Sequence, residues 1–305
     1  MSRGILVVGS SNTDMVVRTK DLPSPGQTVL GGEFFMNPGG KGANQAVAAA
    51  RLQARVTFLT KLGADVFGAQ TRKQFTKEGI DHRYVLTDPT APSGIALISV
   101  DEKGENCIVV APGANANLDV QDIKNAHDAI QTADILLVQL EIPFPTVTAL
   151  VDQAAKHHKR IILNPAPAYP LANSLLSKIT ILTPNEKEAE LLTGITVIDI
   201  DSATRAAKAL QTRGVQIVVI TLGKNGVLLC SDTGGIHLPA PKVEALDTTA
   251  AGDVFNGALA VALAEGKTIG ESARFANYAA ALSVTRLGAQ SSAPTKAEVE
   301  VFMQQ

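Results

Sequence analysis

Apolar runs and helical spacings follow one another along most of the chain. Ile5–Val8 is continuously apolar and ends in Gly9-Ser10-Ser11-Asn12, the pattern of a strand buried on both faces. Asp14–Val17 and Thr28–Phe35 are short β-type runs separated by the turn-rich Asp21-Leu22-Pro23-Ser24-Pro25-Gly26. An alanine-rich helix follows Asn37–Ala46 and runs to about Ala50. It is succeeded by a strand at Val56–Leu62 and a helix at Phe67–Glu78, which Gly79 ends. Ser93–Val100 and Asn106–Val110 flank Asp101-Glu102-Lys103-Gly104 as a hairpin. From Leu118 the alternation is regular. Helices are expected at Val120–Thr132, Pro145–His157, Glu186–Leu192 and Ser202–Arg213. The intervening strands are Asp134–Gln139, Arg160–Leu163, Thr180–Thr183 and Gln216–Thr221. Val227–Ser231 and Gly235–Leu238 read as an antiparallel hairpin near a sheet edge, before the helices Gly252–Ala264, Ile269–Arg286 and Lys296–Met303.

Alternating strands and helices predict an α/β fold: three layers, with a mostly parallel central sheet flanked by helices on both faces. The early β pair and the 93–111 pair do not fit that alternation. They are expected to form a small β-sheet lid, contributed from about 14–36 and 93–111, within a single domain spanning 1–305. Composition narrows the function classes. The chain has 305 residues, 45% of them hydrophobic, with a formal net charge of -2, so it carries no electrostatic footprint for nucleic acid. No apolar run reaches the ~20 residues of a membrane span, and the start, Met1-Ser2-Arg3-Gly4 and on, lacks a signal-peptide pattern. Cys107 and Cys230 lie outside any zinc spacing and fit a reducing compartment. The expectation is a soluble cytoplasmic protein with no nucleic-acid and no membrane partner. The five histidines (His82, His127, His157, His158, His237) share no ligand spacing and are assigned to structure or solvent.

In open α/β sheets, ligands bind beyond the carboxyl ends of the strands, and polar clusters collect there in this sequence. Asp247-Thr248-Thr249-Ala250-Ala251-Gly252-Asp253 precedes an apolar helix. Small residues and a helix N-terminus make an anion site, with Asp253 as a candidate base; an N-cap aspartate is the plainer reading. Asn12 and Asp14 follow the first strand as hydroxyl binders or as turn residues. Gly39-Gly40-Lys41-Gly42-Ala43-Asn44 opens a helix and allows close backbone approach to a polar ligand, and it matches neither a P-loop nor a dinucleotide fingerprint. Glu141 ends another strand, and Asn164-Pro165-Ala166-Pro167-Ala168 is a stiff turn after the next. Asn185 and Glu188 open a helix at i, i+3, either as oxygen ligands for Mg²⁺ or as an acidic first turn. Thr221-Leu222-Gly223-Lys224-Asn225-Gly226 allows a nucleotide to lie against backbone, or is simply a hairpin turn.

Together, Asn37–Ala46 and Asp247–Asp253 resemble the two signatures of the ribokinase-like (PfkB) carbohydrate kinases. Val8–Asp14 and the Asn164–Ala168 turn extend the resemblance nearly end to end. It implies ATP-dependent transfer of a phosphoryl group to the 5-hydroxyl of D-ribose. Asp253 would be the base, and the backbone N–H groups of Ala250, Ala251 and Gly252 the anion hole. Asn12, Asp14, Gly40, Lys41, Gly42, Asn44 and Glu141 would bind the sugar with Asp253. Asn185, Thr221, Gly223, Gly226, Gly252 and Asn277 would line the nucleotide site, with Asn185 and Glu188 organising Mg²⁺ through water. An activating K⁺ would sit at Asp247, Thr249, Ser283, Arg286, Gly288 and Ser292. The resemblance also implies a homodimer joined through the lids. Other acceptors (deoxyribose, an adenosine-like nucleoside, a fructose-type sugar) are the alternatives within the class. A non-catalytic sugar-binding regulator and a nicotinamide enzyme are the alternatives outside it. Lys41 beside Asp14 and Glu141 favours a neutral polyol over a sugar phosphate.

Overall fold

The computed structural model describes residues 4–304. The reading of the segment ahead of Gly4 lies outside them. Nine strands form the main sheet: β1 (Gly4–Val8), β4 (Arg55–Gly63), β5 (Val85–Asp88), β8 (Ile135–Val138), β9 (Arg160–Leu163), β10 (Ile181–Leu182), β11 (Ile217–Thr221), β12 (Val227–Ser231) and β13 (Gly234–Leu238). Four form a second sheet: β2 (Asn12–Arg18), β3 (Glu33–Gly39), β6 (Gly94–Val100) and β7 (Asn106–Ala111). The order in the main sheet is β13-β12-β11-β10-β9-β8-β1-β4-β5, parallel from β5 to β11 and antiparallel across the β11–β12–β13 hairpin. The chain leaves β1 toward β4 on one side and builds from β8 onward on the other. That reversal opens a crevice at the carboxyl ends of β1 and β8.

Two-residue periodicity divides the core. Ile5 and Val7 of β1, Ile135 and Leu137 of β8, and Ile162 of β9 pack under the helices Lys41–Arg51, Ala251–Ala264 and Ile269–Ser283. Leu6, Val8, Leu136, Val138, Ile161 and Leu163 face the helices Phe144–Lys156, Glu186–Thr193 and Ile200–Thr212. Strands covered on both faces have no polar side to show, hence their unbroken apolar runs.

Several boundaries differ from the sequence reading. Thr28–Leu30 is not strand: Leu30 is 92% exposed, and Gly31 and Gly32 follow at φ 91 and 126, so β3 starts at Glu33. The helix expected over Val120–Thr132 is two, Val120–Asn125 and His127–Thr132, meeting at Ala126, whose N–H is shared between the carbonyls of Asp122 and Ile123. The helix expected to reach Arg286 ends at Ser283, and the Val284 carbonyl accepts instead from the N–H groups of Leu246 and Asp247 at 2.8 and 3.2 Å. The edge strand β5 and the short helix Asn173–Leu176 were not expected.

The second sheet runs β3-β2-β6-β7, with only β2–β6 parallel. Met36, Met15, Leu97 and Val109 stand in register across it. Three of the four, Met36, Leu97 and Val109, are exposed, as is Phe34 two residues before Met36. Its first strand leaves the end of β1, and its second runs into the helix Lys41–Arg51. The sheet is therefore tethered at the crevice.

Candidate active site

Five strand ends meet at the crevice: those of β1, β8, β9, β10 and β11. The helix Lys41–Arg51 starts there because its glycines let it. A Cβ on Gly42 would lie 2.6 Å from the Gly9 carbonyl carbon, and one on Gly40, at φ 87, 2.7 Å from the Asn12 nitrogen. Glu141, just beyond β8, locks this approach. One of its carboxylate oxygens accepts from the Lys41 N–H at 3.0 Å and the Ser10 hydroxyl at 2.5 Å. The other oxygen is left for a ligand.

Asp253 sits at the seam of the site. It occupies the first turn of the helix Ala251–Ala264, whose N-cap, Ala250, is left-handed (φ 59). The residue is 6% exposed. It accepts from Asn44 Nδ2 and Gln45 Nε2, both at 2.9 Å. Burial raises its pKa, while the Lys41 charge and the two amide donors pull it down, and the net shift is upward. Both partners are donors, so the protein supplies partners for the ionised form and no acceptor for a carboxyl O–H. Asp253 does not cap its helix with its side chain. The first intrahelical bond runs from the Val254 N–H to the Ala250 carbonyl, and the Ala251 N–H leans on the Thr248 carbonyl at 3.3 Å. The Gly252 and Asp253 N–H groups have no acceptor among the described residues. The Ala250 N–H is likewise without an acceptor among the described residues, so of the three expected donors only the Ala251 N–H is engaged.

On one side of Asp253 is the glycine-rich loop with Asn12, Asp14 and Asn44. Asn12 Oδ1 accepts from Asn115 Nδ2 at 2.8 Å, leaving its own amide N–H groups for a ligand. Asn44 has the opposite polarity: its Oδ1 is buried with no partner among the described residues, an uncommitted acceptor beside Asp253. Asp14 has its pKa raised to about 6 by burial and by the charges of Glu141 and Asp253, against the pull of Lys41.

On the other side is a cavity of about 380 Å³ lined by Lys41, Asn185, Glu188, Thr221, Gly223, Gly226, Ala250, Ala251, Gly252, Asp253 and Asn277, among others. Lys41 therefore belongs to both halves. Burial opposes its charge, but Asp253, Glu141, Glu188 and Asp14 together hold its pKa above the ordinary value. Asn185 and Glu188 form a capping box: Glu188 N–H donates to Asn185 Oδ1 at 2.8 Å and Asn185 N–H to Glu188 Oε2 at 2.9 Å. Capping uses one oxygen of each and leaves Glu188 Oε1 and the Asn185 amide N–H groups free. Burial raises the Glu188 pKa in spite of the Asn185 bond and Lys41. Asn277 Nδ2 donates to the Pro239 carbonyl at 2.9 Å, which holds the segment after β13 against the cavity and leaves Oδ1 open.

The Asp247 loop stands apart from the chemistry. Its carboxylate accepts from the Thr249 N–H at 2.9 Å and the Gly288 N–H at 2.8 Å. Burial alone would raise its pKa, but these bonds outweigh it and hold the group below the usual range. The carbonyls of Thr249, Arg286 and Gly288 accept no hydrogen bond among the described residues, as a set of cation ligands would. Side chains elsewhere in the expected set are committed. Ser283 Oγ donates to the Ala280 carbonyl, and the Arg286 guanidinium pairs with Glu298 at 2.6 Å. The Ser283 carbonyl is taken by the Arg286 N–H at 3.1 Å, and Ser292 Oγ donates to the Ala289 carbonyl at 2.8 Å.

Sequence reasoning missed Gln45, Asn115, Gln139, Thr183 and Asn256, all buried and polar in the walls of the site. Their one signal was a polar residue set in an apolar run, as Gln139 is after Ile135–Val138.

The family model of the pfkB carbohydrate kinases matches residues 2–296. The chain is 43% identical over 304 residues to the ribokinase of Haemophilus influenzae, covering 100% of this chain and 99% of that protein. It is 44% identical over 301 residues to the ribokinase of Bacillus subtilis, covering 99% of each. The structure of Arabidopsis thaliana ribokinase complexed with ribose and ATP superposes with a TM-score of 0.93 at 32% identity, covering 100% of both chains.

Proposed function

The chain belongs to the pfkB family of carbohydrate kinases, and from that premise we propose that it transfers the terminal phosphoryl group of ATP to the 5-hydroxyl of D-ribose. The observation that carries this reading is the position of Asp253. It is a buried carboxylate with both oxygens held by amide donors, between the glycine-rich loop and a cavity whose lining includes the Lys41 ammonium and the start of the helix Ala251–Ala264.

Ribose would lie against Asn12, Asp14, Asn44 and Glu141. Asp14 and Glu141 accept its hydroxyl protons, Asn12 donates, and the open Asn44 Oδ1 accepts. ATP fills the cavity, its base near Asn277 and its phosphates running toward Lys41 and the N-terminus of the helix Ala251–Ala264. Asp253 orients the 5-hydroxyl and takes its proton as attack proceeds. In a loose transition state the proton leaves late, so alignment counts for more than basicity. The open N–H groups at Gly252 and Asp253 and the Lys41 ammonium hold the charge on the moving phosphoryl group. Glu188 Oε1 would accept from water held on Mg²⁺, which would neutralise phosphate charge, while the Asn185 amide N–H groups would donate to phosphate oxygens. The free-thiol pattern of Cys107 and Cys230 suits a cytoplasmic setting.

Purified protein given ATP and a panel of ribose, deoxyribose, nucleosides and fructose phosphates should show a kcat/KM for ribose at least about tenfold above that for any other acceptor. A site that bonds a hydroxyl rejects an analogue lacking it. Clear preference for another acceptor removes ribose from the proposal. Oxidation of a reduced nicotinamide without ATP-dependent phosphorylation removes the kinase.

We assign the carbonyls of Thr249, Arg286 and Gly288, with the Asp247 charge behind them, to an activating K⁺. Turnover in K⁺ should exceed that in Na⁺ or a large organic cation at fixed ionic strength, and equal rates count against the site. We also place a dimer contact on the exposed lid face of Phe34, Met36, Leu97 and Val109. Changing Leu97 and Val109 together to Lys should halve the sedimenting mass. A wild-type protein that already sediments as a monomer contradicts the contact.

A further inference from the structure

We infer that Gln45 is the positioning residue for Asp253, and that a closed circuit of buried amides running through it ties the base to the anion hole; this rests on the function proposed above. Gln45 is wholly buried and lies behind Asp253, away from both ligand spaces. One amide hydrogen goes to Asp253 Oδ1 at 2.9 Å and the other to Asn164 Oδ1 at 3.1 Å, while Oε1 accepts from Gln139 Nε2 at 2.5 Å. The circuit then continues from Asn164 Nδ2 to the Thr183 carbonyl at 3.1 Å. Thr183 Oγ1 donates to Asn256 Oδ1 at 2.6 Å, and Asn256 Nδ2 to the Gly252 carbonyl at 2.8 Å. Gly252 is covalently next to Asp253, so the ring closes on the peptide that carries the base and the open N–H groups.

The carboxylate, a pure acceptor, fixes the orientation of the Gln45 and Asn164 amides, and the Gly252 carbonyl fixes that of Asn256. Neighbouring Asn44 does a different job. It also donates to Asp253, but its oxygen has no protein partner among the described residues and is the acceptor offered to the proposed sugar. Gln45 has no open group toward the ligand spaces, so its effect on the reaction passes through Asp253. Thr183 lies between β10 and the Asn185 cap, so the same ring reaches the nucleotide side. A rotation of the Asp253 side chain breaks the Gln45 bond and unbalances the rest.

The test is Gln45→Met, which keeps length and removes the donor, with Gln45→Glu as the isosteric variant and Gln139→Leu as the milder one. For Gln45→Met, kcat should fall about 10- to 100-fold, as expected for a lost hydrogen bond to a charged group. KM for ribose and ATP should stay within about threefold. A donor stabilises the carboxylate, so its loss raises the Asp253 pKa and moves the acid limb of kcat/KM to higher pH. Gln45→Glu, which sets a like charge beside Asp253, should move that limb further, and Gln139→Leu should move it less in the same direction. A kcat within twofold of wild type overturns the proposal. So does a fall in kcat with the acid limb unmoved in all three variants, because a merely structural residue would give that. The carbon-13 titration of the Asp253 carboxyl, assigned by its loss in Asp253→Asn, reads the same shift without turnover. It decides the role of Gln45 even if the wild-type protein is inert toward ribose and ATP, a result that would strike the functional proposal instead.

Discussion

Asp253→Asn should lower turnover by about 10³- to 10⁴-fold while ribose still binds within about tenfold of the wild-type affinity. The split follows from the geometry. Asparagine offers one acceptor where Asp253 has two, so its NH2 must face either Asn44 Nδ2 or Gln45 Nε2, both donors at 2.9 Å. Gln45 is committed to Asn164 and Gln139 and cannot turn. Asn44 can, because its Oδ1 has no partner among the described residues. Its amide inverts, the cavity keeps its shape, and the sugar exchanges an acceptor for a donor at one hydroxyl. The proton acceptor is lost outright. Calorimetric ribose binding beside single-turnover phosphorylation separates the two effects. Near-normal turnover in the variant would remove Asp253 from the reaction.

Asp14→Asn should weaken ribose binding by about 10- to 100-fold, the effect expected for hydrogen bonds to a charged acceptor, and at the same time stabilise the sugar-free protein. The folded pKa is about 6, above the 3.8 of the free side chain, because the carboxylate is buried beside Glu141 and Asp253. Below the lower value both folded and unfolded chains are protonated, and Asp14 costs nothing. Between the two, the unfolded chain ionises first and stability falls as pH rises. Above about 6 the full penalty is in place. The neutral variant avoids that penalty, which is on the order of 1–3 kcal/mol at pH 7.5 for an ionisation displaced this far. Melting temperatures of the two proteins should therefore coincide near pH 4, draw apart as pH rises to about 6, and stay separated above it. Parallel curves across that range would mean that the carboxylate is not strained, and unchanged ribose affinity would take Asp14 out of the sugar site. For wild-type protein the same ionisation should weaken ribose binding as pH drops below about 6.

The main sheet was legible because its strands are buried on both faces. Arg160–Leu163 and Val227–Ser231 were found to the residue, since an apolar run with turn residues on either side leaves little choice. Val85–Asp88 was not, being four residues at an edge with Leu86 and Thr87 partly open to water. The end of the Ile269–Ser283 helix was equally hidden, because what stops it is the Asp247 loop, distant in sequence, competing for the Val284 carbonyl. The residues that face ligands were legible as motifs: glycines, small residues and acids at strand ends. The residues behind them were not. Gln45, Asn164, Thr183 and Asn256 have meaning only once three elements have met, and nothing local marks an amide as one side of a ring. The capping box at Asn185 shows the converse, where the plain reading holds and still leaves one Glu188 oxygen uncommitted.

The second sheet has no hinge of its own. β2 begins at Asn12 and carries Asp14 as its third residue, while β3 ends at Gly39, directly before the glycines that seat Lys41. The strands are levers whose short arms are the proposed sugar ligands. Any tilt of the sheet shifts Asp14 relative to Glu141, and any sugar that spans the two fixes the tilt. Apparent affinity is then divided by the fraction of molecules whose sheet already sits in the binding pose. Substitutions on the far rim, at Phe34 or Val109, can change how tightly the sugar is held while touching neither the sugar nor its neighbours. Selection on the outer face would thus tune the metabolite concentration at which the protein fills.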